Sequence, residues 1–182
     1  MKALVLLATG FEETEAIGTI DVLRRGMIKT LIASVTGSPT VIGAHNIYVR
    51  AEDLLEDVDL SFYDAIVLPG GGPGSLMLKE HPVVREAVTD FYNSGRLIAA
   101  ICAAPRVFGD LGLLKGKKAT CYPGIEPELK GAILTDAPAV TDGNIITGKG
   151  PGFVFDFALA ILTYLHKGDG ITRQVAEDLL IA

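Results

Sequence analysis

The fold is decided by residues 97–105, which read LIAAICAAP. The five apolar residues before Cys102 predict a strand that is buried on both faces, and Pro105 suits the first turn of a helix because its fixed φ is helical. Ala100 and Ala104 lie two positions away from Cys102 on either side. A nucleophile elbow brings these flanking positions together, so they must be small. We therefore predict that Cys102 lies on a sharp strand-to-helix turn; a packed core thiol is the alternative interpretation.

The same alternation of strand and helix extends over the rest of the chain. Continuous apolar runs predict buried strands, and apolar residues at helical spacing predict amphipathic helices. The predicted strands cover 2–7, 30–35, 65–68 and 97–101, with shorter ones at 119–122, 139–140 and 145–146, and the predicted helices cover 12–25, 82–91, 105–112 and 153–165. A short hairpin is predicted at 41–49. This order predicts an α/β fold with a doubly wound, mostly parallel sheet and helices on both faces.

The composition limits the number of domains and the kinds of partner. A chain of 182 residues, 49% of them hydrophobic, predicts a single domain over 1–182. A net charge of −6 without a basic stripe gives no electrostatic reason to bind nucleic acid or an anionic membrane. No run reaches the roughly 18 apolar residues of a membrane helix, and the first run is too short for a signal peptide. We therefore expect a cytoplasmic protein whose two cysteines are free thiols.

Three loops follow the carboxyl ends of predicted strands, at 10–15, 69–74 and 101–105. In a parallel sheet such loops converge, which brings Glu15 towards Cys102. An ionised Glu15 opposes a thiolate, whereas a protonated one donates a hydrogen bond to it, so contact predicts a raised pKa for Glu15. We expect the helix N-terminus to lower the pKa of Cys102. The alternative is that the acids of 12–15 only complement the helix dipole.

The glycine-rich loop at 69–74 offers free backbone amides. It has neither the P-loop nor the dinucleotide-binding pattern, so we predict no nucleotide site there. We predict instead that the N–H groups of Gly71 and Ala103 form an oxyanion hole, with a tight turn as the alternative. Tyr122 and Cys121 are candidates for the far wall of the pocket, although Cys121 also suits a packed core position. No histidine or cysteine spacing is typical of a metal site, so we predict no metal.

Several segments in the same order resemble the ThiJ/PfpI superfamily, in the branch of the parkinsonism-associated deglycase and its bacterial relatives. The resemblance runs from residue 2 to about 165 and rests on 10–15 (GFEETE), 63–71 (YDAIVLPGG), 97–105, 142–147 (DGNIIT), 150–152 (GPG) and 157–160 (FALA). It implies a flavodoxin-like, class I glutamine-amidotransferase-like fold, a homodimer and no cofactor. It also implies Cys102 as an easily oxidised nucleophile, Glu15 as its protonated partner, and a pocket that includes Gly70, Pro151 and the dimer-interface residue Arg25.

The function that the resemblance implies is a cysteine-dependent glyoxalase or deglycase acting on small 2-oxoaldehydes or early glycation adducts. The alternative is a non-enzymatic redox sensor or stress chaperone that works through oxidation of Cys102. An amidase or peptidase-like hydrolase is a weaker alternative, because the protease-like branch carries a histidine where this chain has Ala103. Tyr122 stands where the deglycase often has a histidine, so the sequence offers no histidine base.

Overall fold

The computed structural model describes residues 1–168 and 170–181, which form eleven strands and six α-helices. The strands are β1 (Lys2–Leu7), β2 (Lys29–Ser34), β3 (Thr40–Ile42), β4 (Tyr48–Arg50), β5 (Asp53–Leu54), β6 (Ala65–Leu68), β7 (Leu97–Ile101), β8 (Lys118–Ala119), β9 (Ile133–Leu134), β10 (Ala139–Asp142) and β11 (Ile145–Gly148). The helices are α1 (Glu13–Arg25), α2 (Gly72–Glu80), α3 (Pro82–Asn93), α4 (Pro105–Asp110), α5 (Val154–His166) and α6 (Ile171–Asp178).

Seven of these strands form one sheet in the order β10-β11-β7-β6-β1-β2-β5. Every neighbouring pair in it is parallel except β10 with β11. The hairpin β3–β4 and the parallel pair β8–β9 lie outside this sheet. The carboxyl ends of β1, β6 and β7 therefore meet at one edge, which is where an open α/β sheet forms its site.

The sheet is covered on both faces, as the continuous apolar runs predicted. In β1, Val5 and Leu7 belong to the core on one face, while Leu4 and Leu6 belong to the core on the other. Helices α1 and α5 supply the first core, and α3 and α4 supply the second. Because successive strand residues point to opposite faces, a strand with helices on both sides must be apolar throughout. The predicted fold class is confirmed.

Five elements differ from the predictions. Helix α2 begins at Gly72, inside the stretch predicted to be a loop, because Pro73 fits a first helical turn and the loop ends at Gly71, whose φ is 92°. Of the strand predicted at 119–122, only Ala119 lies in a strand, as the last residue of β8 (Lys118–Ala119). Strands β5 and β9 were not predicted because each has only two residues, and helix α6 was not predicted because it is short and mostly polar. No helix among the described residues is both long and apolar enough to cross a membrane.

Candidate active site

Cys102 lies at the turn between β7 and α4, at the carboxyl edge of the sheet. Its φ is 64°, in the left-handed region that side chains other than glycine seldom adopt. Two backbone hydrogen bonds hold this conformation: the Cys102 N–H donates to the Gly148 carbonyl at 2.9 Å, and the Tyr122 N–H donates to the Cys102 carbonyl at 2.8 Å. A strained backbone fixed from both sides is typical of a functional turn. Cys102 is only 7% exposed, so the thiol is almost enclosed by the surrounding residues.

Glu15 approaches the thiol from the first turn of α1. Glu12 caps this helix, because its Oε2 accepts a hydrogen bond from the Glu15 N–H at 2.7 Å. The Glu15 side chain is completely buried, and its Oε2 accepts a hydrogen bond from the Gly70 N–H at 2.8 Å. Its other oxygen, Oε1, has no geometrically complete hydrogen bond. The carboxyl nevertheless lies close enough to the Cys102 thiol for each group to shift the pKa of the other.

Burial raises the pKa of Glu15 to about 7, and the charge of Glu12 adds to the effect; hydrogen bonds from Cys102 and the Gly70 N–H oppose it. The predicted rise in the pKa of Glu15 is confirmed. Burial, followed by the charge and hydrogen bond of Glu15, raises the pKa of Cys102 to about 12. The expectation of a lowered thiol pKa was therefore wrong. A helix terminus contributes only a partial charge, which a buried site next to a carboxylate outweighs.

The two groups titrate as a pair, because each favours its protonated form when the other is charged. Near neutral pH Glu15 is divided between its acid and its carboxylate forms, while Cys102 keeps its proton. A carboxylate with a pKa near the working pH, beside a protonated thiol, is suited to accept the thiol proton at the moment of attack.

The N–H groups of Gly71 and Ala103 lie close enough to the Cys102 thiol to lower its pKa. Both amides therefore lie beside the sulfur, and the oxyanion hole that they were predicted to form stays a prediction. Glycine is needed for this approach at position 70, because a Cβ there would lie 2.5 Å from Glu15 Oε2 and 2.6 Å from Cys102 Cβ. The amides are placed to stabilise negative charge on the sulfur, or on an oxygen bound next to it.

A cavity of about 300 Å³ adjoins the elbow, and it includes the predicted pocket residues Tyr122 and Pro151. The Tyr122 ring is half exposed and packs on Gly150, where an added Cβ would lie 3.2 Å from it. Cys121 does not line this cavity. It packs into the core on the face of Ala100, and burial raises its pKa to about 11.

Arg25 is not part of the pocket within one chain. It lies ten residues after Glu15 on α1, which is about 15 Å along a helix axis. Its guanidinium bonds to Asp21 at 2.7 Å on the helix surface. The resemblance implies Arg25 as a dimer-interface residue, so its place near the pocket stays a prediction.

His45 is a neighbour of the site that sequence reasoning missed. The β3–β4 loop places its backbone N–H 2.6 Å and its Nδ1 2.8 Å from the buried Glu13 carboxyl. Burial tends to raise the pKa of Glu13, but the His45 hydrogen bonds outweigh it and lower that pKa, while the same contact raises the pKa of His45. Ligand atoms of Glu12, Glu13 and His45 lie within 4.8 Å of one another. Among the described residues, Glu12 already caps α1, and Glu13 already holds the β3–β4 loop through His45.

The fold and the site together define an α/β protein with a cysteine on a strand-to-helix elbow and a buried carboxyl partner. Residues 1–164 match the DJ-1/PfpI family. The chain is 40% identical over 183 residues to protein dj-1beta of Drosophila melanogaster, covering 100% of this chain and 97% of the relative. The chain belongs to the DJ-1/PfpI family.

Two solved structures extend this similarity to three dimensions. A DJ-1 superfamily protein from Salmonella typhimurium, crystallised with one cysteine replaced by alanine, has a TM-score of 0.95 at 40% identity, covering 100% of this chain and 98% of that one. An oxidised DJ-1 from Toxoplasma gondii has a TM-score of 0.94 at 32% identity, with the same coverage. The family includes enzymes, and the similarity by itself does not distinguish one activity from another.

Proposed function

We propose that this protein is a cofactor-free, cysteine-dependent glyoxalase or deglycase that acts on small 2-oxoaldehydes or early glycation adducts. The observation that carries the proposal is the pairing of the Cys102 thiol with a buried carboxyl, Glu15, whose pKa is about 7. A general base is most effective when its pKa is close to the working pH. The pair therefore combines a nucleophile and a proton carrier in one site.

In the first step the Cys102 sulfur adds to the aldehyde carbon of the substrate. The S–C bond forms, the C=O double bond becomes a single bond, and the thiol proton passes through Glu15 to the new hydroxyl oxygen. The product is a hemithioacetal. The amides of Gly71 and Ala103 stabilise the sulfur as it loses its proton and, because they lie beside it, the oxygen on the adjacent carbon.

In the second step Glu15 removes the proton from the former aldehyde carbon while the neighbouring carbonyl oxygen takes up a proton, which gives an enediol. Glu15 then returns the proton to the neighbouring carbon, and the hydroxyl on the sulfur-bearing carbon gives up its proton and becomes the thioester carbonyl, which yields a 2-hydroxy thioester. Water then cleaves the C–S bond, and the hydroxy acid and the free thiol are released. One water is consumed and the redox change stays within the substrate, so no external oxidant or reductant is needed. Methylglyoxal gives lactate.

The test is lactate formation from methylglyoxal by protein freed of trace metal and glutathione. We expect turnover that is lost in Cys102→Ala and kept in Cys121→Ala, since the second thiol packs in the opposite core. Glu15→Gln should lower kcat far more than KM, because it removes the proton carrier. Lactate formation no faster than that of the Cys102→Ala control would refute the proposal.

A redox-sensing function is the second candidate, and the two amides directed at the sulfur favour it. They can donate hydrogen bonds to oxygens added to Cys102 when peroxide oxidises it to the sulfinic acid. The oxidised state of the Toxoplasma gondii relative is in line with such chemistry in the family. Peroxide titration followed by mass spectrometry separates the candidates: a selective gain of two oxygens at Cys102 without aldehyde turnover favours the sensor.

The homodimer and the cytoplasmic location are also proposals. The resemblance supports a dimer, and so do the exposed apolar side chains of Ile17 on α1 and of Ile47 and Tyr48 on the neighbouring hairpin. Helix and hairpin are joined by Glu13, which accepts the His45 N–H. Light scattering of wild type and Tyr48→Glu tests the dimer, because a charge in a dimer interface should shift the protein towards the monomer.

A further inference from the structure

Arg106 is a buried charged residue that the proposed reaction does not use. It lies in the first turn of α4, four residues after Cys102, and is only 7% exposed. Its Nη2 lies 3.0 Å from Glu128 Oε1, and its Nη1 donates to Ser75 Oγ at 3.3 Å. Its Nε is buried and has no hydrogen-bond partner among the described residues. A buried cation with an unpaired N–H costs stability, which indicates that Arg106 does more than fill space.

Glu128 is a fixed partner for this guanidinium. Gly109 on α4 lets the chain at Glu128 pack directly on the helix, because a Cβ at Gly109 would overlap the Glu128 carbonyl and lie 2.9 Å from Leu129 Cα. The other carboxylate oxygen, Oε2, lies 3.3 Å from Lys79 Nζ on α2. Glu128 therefore holds Arg106 from one side and α2 from the other.

Ser75 extends the contact to the first turn of α2. Because a guanidinium only donates, Ser75 Oγ accepts from Arg106 and directs its own proton to the Gly72 carbonyl, 3.0 Å away. The Ser75 N–H also donates to the Gly71 carbonyl at 2.9 Å. This turn has little stability of its own, since two of its first three residues are glycine and no side chain caps it. The bonds through Ser75 therefore help to fix the turn that begins at Gly71.

Arg106 joins the two segments that bring amides to the thiol. The N–H groups of Gly71 and Ala103 lie beside Cys102, and these residues come just before α2 and α4. Helix α4 has only six residues and also lacks a side-chain cap, so neither helix start is fixed locally. The Arg106 N–H donates to the Ala103 carbonyl at 3.3 Å, while its guanidinium reaches Ser75. One residue thus links both amide-bearing turns.

We infer that Arg106 is a positioning residue for Cys102, and that it acts through Ser75 to hold the N–H groups of Gly71 and Ala103 together beside the sulfur. The inference rests on the proposed function in taking Cys102 as the reacting atom. A hydrogen bond to a charged group is strong enough that losing one should lower the thiolate fraction about tenfold. The greater nucleophilicity of a more basic thiolate returns about threefold, so alkylation should slow about threefold.

Iodoacetamide alkylation of Cys102, followed by mass spectrometry in a Cys121→Ala background, tests this without turnover. Ser75→Ala and Arg106→Met should each slow the reaction about threefold, by the same factor from pH 8 to pH 10, because the thiol pKa lies above this range. The double variant should be no slower than Arg106→Met, since both changes remove one contact. Ser34→Ala, which removes another completely buried serine hydroxyl on β2, should leave the rate unchanged.

The direction of the change separates positioning from general stabilisation. A contact that only stabilised the fold would, when lost, expose the enclosed thiol and speed alkylation or leave it unchanged, and either result overturns the inference. Slowing in only one of the two single variants also overturns it, because the two residues would then not act through one contact. If Arg106→Met does not fold, Ser75→Ala and its Ser34→Ala control decide.

Lactate formation from methylglyoxal distinguishes this inference from the proposed function. If wild type forms lactate and alkylation is not slowed in Ser75→Ala and Arg106→Met, the positioning role is refuted and the proposed function stands. If wild type forms no lactate but alkylation slows in both variants, Arg106 positions the amides and the proposed function fails.

Discussion

Replacing Glu15 by glutamine should change how the stability of this protein depends on pH. The pKa of Glu15 rises from 4.5 to about 7 on folding, mainly through burial. The folded state therefore holds a proton that the unfolded chain has already released between these values. The stability that this bound proton gives to the folded state is fully present below pH 4.5 and is lost as the pH rises through about 7.

The size of the effect follows from the same shift. One pKa unit corresponds to about 1.4 kcal/mol, so the protonated carboxyl contributes about 3 kcal/mol that is absent above pH 7. Glutamine has nearly the same shape, can accept the Gly70 N–H through its oxygen, and does not titrate. The free energy of unfolding of Glu15→Gln, minus that of wild type, should therefore rise by about 2–3 kcal/mol between pH 5 and pH 8.

Urea unfolding of both proteins at half-unit pH steps measures this difference, and titrating groups that do not interact with Glu15 cancel in the subtraction. Glu56→Gln, which removes an exposed carboxylate, measures the effect of net charge alone. A difference between Glu15→Gln and wild type that stays flat from pH 5 to pH 8 would show that Glu15 is ionised throughout, and the assignment of a shared proton to this site would be wrong.

A second measurement on Glu15→Gln and two other substitutions test the packing and charge of the site. Glu15→Gln should lower the pKa of Cys102, because the carboxylate charge is removed, and iodoacetamide should alkylate it severalfold faster at pH 9; an unchanged rate would contradict the contact. Gly70→Ala should cost about 1–3 kcal/mol of unfolding free energy and slow alkylation, since its Cβ would lie 2.6 Å from Cys102 Cβ. Phe157→Ala, in the core beneath α5, should cost about 3–5 kcal/mol with no direct loss of thiol reactivity.

The sheet and the elbow could be predicted because their determinants are local. β1, β6 and β7 are continuous apolar runs, which only a strand covered on both faces explains. The turn at Cys102 could be predicted from the small residues Ala100 and Ala104, because their size is a steric requirement of the turn. The contact with Glu15 followed from topology alone, since parallel neighbours bring their carboxyl ends together.

The features that were missed depend on long-range packing or on burial. The pKa of Cys102 is set by how deeply the thiol lies and by the charge of Glu15, and neither can be read from the neighbouring residues. Cys121 directly precedes Tyr122, but Cys121 packs into the core, whereas Tyr122 lies at a bend and lines the cavity. The contact of His45 with Glu13 requires a hairpin loop to fold back on α1, which its short and weakly patterned sequence did not specify.

The proton shared by Cys102 and Glu15 also separates the two candidate functions. A thiol with a pKa of about 12 is a weak nucleophile unless a base removes its proton during attack, and Glu15 becomes such a base as the pH rises through about 7. Enzymatic kcat/KM should therefore rise with pH and level off above about pH 7. Peroxide oxidation in the sensor needs a formed thiolate, so its rate should continue to rise well above pH 8. Measuring lactate formation and Cys102 oxidation over the same pH range gives the pH dependence of each reaction. If the rate of lactate formation keeps rising beyond pH 8, Glu15 is not the base.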